Sequence, residues 1–117
     1  MTFKENIKKA KETFKNEEDQ EDLKNKEIDY KKASLMVNLG EHPAMKEIID
    51  DLEAQVVDID TELNEQDVEF EEKDILHRKE LKIKKELYMT FLNRFSDAKN
   101  KMIEIEKEVE EELESNT

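Results

Sequence analysis

The stretch MKEIIDDLEAQVVDIDTEL, residues 45–63, decides how the rest of the chain is read. Its apolar members Met45, Ile49, Leu52, Val56, Ile59 and Leu63 are spaced 4, 3, 4, 3, 4. Such a repeat keeps one side of an α-helix apolar and fits a coiled-coil seam. Just upstream, Asn38-Leu39-Gly40 is followed by Pro43. A glycine in a left-handed cap can end one helix, and proline suits the first turn of the next. The spacing therefore predicts a helix from Pro43 to Leu63, with a corner before it formed at Gly40.

Downstream, Tyr88, Phe91, Phe95, Ala98, Met102, Ile105 and Val109 repeat at 3, 4, 3, 4, 3, 4. They predict a long helix from about Phe70 to Leu113. Leu76, Ile83, Leu87 and Leu92 are expected to widen its apolar stripe. Residues 64–69 lack such periodicity and are expected to reverse the chain. The two helices then form an antiparallel hairpin, with Met45, Ile49, Leu52, Val56, Ile59 and Leu63 facing Leu87, Phe91 and Phe95.

Charge supports that pairing. Residues 41–74 carry net −12 and residues 75–103 net +5, whereas residues 1–40 are neutral and 104–117 carry −6. The acidic helix lies opposite Arg78, Lys79, Lys82, Lys84, Lys85 and Arg94. Surface pairs contribute only ~0.2–1 kcal/mol each, so charge selects the register and the apolar seam supplies most of the stability.

The second helix of this hairpin is too long for the first. At ~1.5 Å per residue it spans roughly 65 Å against roughly 30 Å. Its far seam, Ala98, Met102, Ile105, Val109 and Leu113, therefore needs a cover. The candidates are an N-terminal helix over 3–15, a second copy of the chain, or another protein. Thr2 and Glu5 stand in capping-box spacing, and Phe3, Ile7, Ala10 and Phe14 then share one helical face. Segment 1–15 carries net +3 and complements the acidic end, which favours packing within one chain or exchanged between chains. Residues 16–22, NEEDQED, hold no apolar side chain and read as a solvated helical bridge or a frayed linker. The pattern resumes weakly from Leu23 through Ile28, Tyr30, Leu35, Met36 and Leu39. The whole is expected to be one all-α domain, with an N-terminal helical arm over 1–39 and a hairpin over 43–113.

Composition agrees. Of 117 residues, 45% are charged and 35% apolar, with one Gly and one Pro. Sheets need turn residues that such a chain lacks, and long helices do not. Absence of Cys removes disulfides and thiolate metal sites. No stretch resembles a signal peptide or a membrane span, so a cytoplasmic or virion-associated location is expected.

Net charge of −13 disfavours direct contact with nucleic acid. One glycine cannot build a P-loop or a dinucleotide fingerprint. Ser34, Ser96 and Ser115 have only His42 and His77 to activate them. Asp58, Asp60, Glu62 and Glu69 match four ligand positions of a calcium loop, but Leu63 stands where that loop requires glycine. Asp74 and His77 have carboxylate–imidazole spacing, yet a di-iron site needs a second such pair. No enzyme, cofactor or metal is expected.

Residues 41–45 (EHPAM) through Leu63, 71–76 (EEKDIL) and 85–92 (KELYMTFL) together resemble small helical accessory proteins encoded among the head and packaging genes of tailed bacteriophages. In those, a His/Asn-Pro opens one helix and a second helix carries an aromatic-rich Glu-Leu-Tyr segment. The resemblance covers residues 41–95 and implies a virion-assembly role, scaffold-like or as a minor head component. The residues themselves point to a non-catalytic helical protein that binds protein partners and forms homo-oligomers through 98–113. The alternative is an acidic inhibitor that imitates nucleic acid, presenting Asp50, Asp51, Glu53, Asp58, Asp60, Glu62 and Glu65 to a basic groove.

Overall fold

A computed structural model describes residues 2–65 and 72–115. They form four α-helices and no strand: α1 (Phe3–Thr13), α2 (Glu17–Glu41), α3 (Pro43–Glu65) and α4 (Glu72–Glu114). The all-α hairpin expected from the seams is the fold of the chain. Most of the reversal expected over 64–69 lies outside the described residues, as do Phe70 and Glu69.

Each boundary has a local cause. Thr2 caps α1, its Oγ1 accepting from the Glu5 backbone N–H at 3.2 Å. At the other end of α1, Gln20 Nε2 donates to the carbonyls of Lys11 (2.7 Å) and Phe14 (2.5 Å). These are terminal groups a helix leaves unpaired. Asn16 then caps α2 through its Oδ1, 2.8 Å from the Asp19 backbone N. Glu17, Glu18 and Asp19 follow in the first turn, where the helix dipole favours acids. The apolar-free stretch 16–22 is therefore a cap and the start of a helix.

The corner at 40–43 differs from expectation. Gly40 does not adopt a left-handed cap; it lies inside α2. Only His42 separates α2 from α3. His42 Nδ1 accepts from the Ala44 N–H at 3.2 Å, and Pro43 begins α3 as its missing N–H allows. Glycine serves close approach instead: a Cβ at Gly40 would stand 2.8 Å from Cδ1 of Phe95.

Contacts group the chain into two units, one of Met1–Asn38 with Asp97–Thr117 and one of Leu39–Ser96. Residues 1–38 thus group with the end of α4. In the first unit α2 runs antiparallel to α4, as Lys26 meets Glu112 while Tyr30 meets Glu106. Here α1 completes a three-helix layer. Ile7, Ala10, Leu23 and Val109 form its core, with Phe3, Phe14 and Leu113 packed around them.

The second unit is the hairpin of α3 with the first half of α4. Asp60 meets Lys85 and Glu62 meets His77, which fixes an antiparallel register. Val56, Ile59 and Leu81 are buried, while Met45, Ile49, Leu52, Leu63, Tyr88, Phe91, Leu92 and Phe95 are half-buried around them. Phe91 and Phe95 meet edge to face at 5.4 Å.

One expected seam residue is misplaced by sequence. Leu87 is 65% exposed, and Leu76 and Ile83 are exposed with it. The inward row of α4 continues back from Tyr88 through Lys85, Leu81, Arg78 and Asp74, keeping the 3, 4 alternation. Lys85 and Arg78 hold core-facing positions there because each has a partner on α3. Lys85 reaches Asp60 at 2.5 Å, and Arg78 donates to the Leu63 carbonyl at 3.4 Å.

Candidate interaction surface

The seam Ala98, Met102, Ile105, Val109 and Leu113 is expected to be covered by helix 3–15, by a second copy or by another protein. In the structure its two best-buried members are Ile105 and Val109. Ile105 is 2% exposed, and Val109 is fully buried against Leu23 of α2 and Ile7 and Ala10 of α1. Helix α1, with Leu23 of α2, covers the end of this seam at Val109 and Leu113. Ala98, Met102 and Leu113 are half-buried.

The charge partner differs too. Of the basic residues in 1–15, Lys11 pairs with Glu27 on α2. It is Lys26, 16% exposed, that reaches Glu112 at 2.5 Å, Glu108 at 3.8 Å and Asp22 at 3.2 Å. Burial alone would lower the Lys26 pKa, but hydrogen bonds and charge from Glu112 and Asp22 outweigh it, and the pKa is raised. Tyr30 donates to Glu106 at 2.6 Å and stacks on Phe3 with ring centroids 3.8 Å apart. Burial, then the hydrogen bond and charge of Glu106, push the Tyr30 pKa up to about 12. This clasp locks α2 to α4.

The acidic residues divide. Asp50, Asp51, Glu53 and Asp58 stay exposed on α3, whereas Asp60 and Glu62 are tied to Lys85 and His77 across the hairpin. Asp58, Asp60 and Glu62 lie on continuous helix, and Glu69 falls outside the described residues. Among the described residues no cluster of three or more His, Asp or Glu is arranged for a metal. No described helix is long and apolar enough to cross a membrane.

Ser96, Ser115 and both histidines are engaged locally. Ser96 Oγ donates to the Asn93 carbonyl, Ser115 Oγ to the Glu112 carbonyl, and His77 Nε2 meets Glu62 Oε1 at 2.7 Å. Ser34 lines an open cleft of about 600 Å³ between α1 and α2, with Phe3, Ile7, Tyr30 and Leu35.

The surface that sequence misassigned is the outer row of α4. Leu76, Ile83 and Leu87 are 60%, 58% and 65% exposed. Their 7, 4 spacing puts them on one face, opposite the inward row of Leu81, Lys85 and Tyr88. Exposed Lys79, Lys82, Lys84 and Arg94 lie along the same stretch. Leu81 itself, buried at 8%, was missed because Lys85 interrupts the apolar repeat beside it. Extending the 3, 4 register back from Tyr88 through a polar position would have found it. Leu23 and Lys26, which anchor the first unit, gave only the weak resumption of pattern after residue 22. Compared with known protein families, characterised proteins and solved structures, the chain matches none.

Proposed function

We propose that this chain is a non-catalytic helical interaction protein, working through the outer face of α4, with virion assembly as the setting its resemblance suggests. The observation that carries the reading is the exposed row Leu76, Ile83 and Leu87. Single exposed apolar residues are ordinary, but three aligned on one helix face form a surface that a partner can cover. Around it, charge keeps the free chain soluble while permitting reversible association. A partner helix laid along the row would bury the same residues at helical spacing.

A photo-crosslinking residue at position 83 tests this in cells producing the chain, against the same residue at exposed position 101. Adducts at 83 and none at 101 are expected. Equal or absent labelling at both positions would overturn the reading.

A second reading rests on the exposed acids Asp50, Asp51, Glu53 and Asp58: an inhibitor whose α3 imitates a nucleic-acid backbone. Salt separates the two. Binding by the acidic face should collapse between low and high ionic strength, since exposed charges are screened within about 10 Å at 0.1 M. Binding by the apolar row should persist.

A further inference from the structure

The α4 row has a matching surface on the chain itself. On α3, Ala54, Val57 and Thr61 follow at 3, 4 spacing and face solvent, Val57 being 61% exposed. They lie away from the inward row of Met45, Ile49, Leu52, Val56 and Ile59. This face is small where the α4 row is bulky. Exposed Glu47, Asp50, Asp51, Glu53 and Asp58 surround it, and α3 contains a single basic residue, Lys46. The α4 row is flanked instead by Lys79, Lys82, Lys84 and Arg94, with Glu80 and Glu86 the acids among them.

We propose that the outer row of α4 in one copy docks on the outer face of α3 in a second copy. This rests on the reading of α4 as an interaction surface and names its partner. Size and charge both select the pairing. Leu76, Ile83 and Leu87 are ridges that fit over the shallow Ala54–Val57–Thr61 face, and basic flanks meet acidic ones. Pairing α4 with α4 would set Lys79, Lys82 and Lys84 against their own copies, and pairing α3 with α3 would oppose acid to acid.

The hairpin cannot satisfy these faces internally, because each points away from the other helix. One copy therefore offers an α4 row and an α3 face on opposite sides. Contact between unlike surfaces is head to tail, and it leaves one of each free for the next copy. The association is accordingly open-ended, concentration-dependent and steered by charge.

Light scattering after size exclusion, on the full chain over a range of concentrations, tests this. Wild-type mass should climb past that of a dimer as concentration rises. Leu87→Glu spoils the α4 row and Val57→Arg spoils the α3 face. Both positions are exposed, so circular dichroism should be unchanged while each variant alone stays monomeric. Mixed together they should form a dimer and stop, since one intact row and one intact face remain. Ile83→Glu with Ala54→Arg forms a second pair if either first variant loses helicity.

A wild type that is monomeric throughout, or one that halts at a dimer, overturns the proposal. So does a Val57→Arg variant that still self-associates. Should the wild type be monomeric while position 83 still crosslinks to a different protein, only the self-docking fails and the interaction reading stands. No crosslink at 83 removes both.

Discussion

The two units are built from the same long helix, α4, yet they solve its burial differently. Between Asp97 and Glu114 it has two companions, and Leu23, Ala10 and Val109 lose all contact with solvent. Between Glu72 and Ser96 its companion along most of the length is α3, with only the end of α2 reaching Phe95, and even the best-buried residues there, Val56, Ile59 and Leu81, keep 6–9% exposure. A helix beside a single partner hides one stripe, whereas a third helix closes the remaining sides. The difference separates stability from availability. The three-helix unit spends its apolar residues on a core and adds the Lys26 and Tyr30 clasps. The two-helix unit leaves Leu76, Ile83 and Leu87 outside.

The contrast can be broken most severely at Leu23. Leu23→Ala opens a cavity in the three-helix core and should cost about 2–5 kcal/mol. Hydrogen exchange should show faster opening of α1 and the end of α4 while α3 keeps its protection. Uniform loss across both units would mean that they unfold as one.

Gly40→Ala attacks the other unit. On an open helix the change would gain about 1 kcal/mol. Here the added methyl meets the Phe95 ring, and overpacking of this kind costs about 1–3 kcal/mol. Thermal unfolding should show net destabilisation, relieved when Phe95→Leu is combined with it. A stabilised Gly40→Ala would show that the crossing yields easily.

The smallest effect sharpens the comparison through pH. Tyr30 holds its proton more tightly folded than unfolded, with pKa values of about 12 and 10.0. Its contribution is therefore complete below pH 10 and is lost as pH rises from 10 towards about 12. Lys26, whose folded pKa is also raised, loses its contribution in the same direction, above 10.5. Tyr30→Phe should cost about 1 kcal/mol at neutral pH. Its melting temperature should fall less steeply than wild type over that alkaline window. Identical slopes would mean the phenol is ionised no later than in the unfolded chain.

Helix content was legible wherever spacing was unbroken. The heptads of 45–63 and 88–109 predicted α3 and most of α4 because apolar periodicity is a property of the helix itself. Thr2, Asn16 and Pro43 mark boundaries through local hydrogen bonding, although Asn16 is recognisable as a cap only once Asp19 is seen donating to it. The row through Leu81, Lys85 and Arg78 was not legible. Two cations interrupt it, and only the facing Asp60 and the Leu63 carbonyl make them acceptable inside a hairpin. The apolar Leu76, Ile83 and Leu87 consequently looked like the seam.

Sequence by itself determined α1, α3, most of α4 and the charge blocks, because these depend on residues three or four apart. Tertiary structure alone decided which face of α4 is covered, since burial depends on how many helices stand beside it. It also decided the role of Gly40: local chemistry allowed a left-handed cap, and the ring of Phe95, 55 positions away in the chain, requires a residue without a side chain.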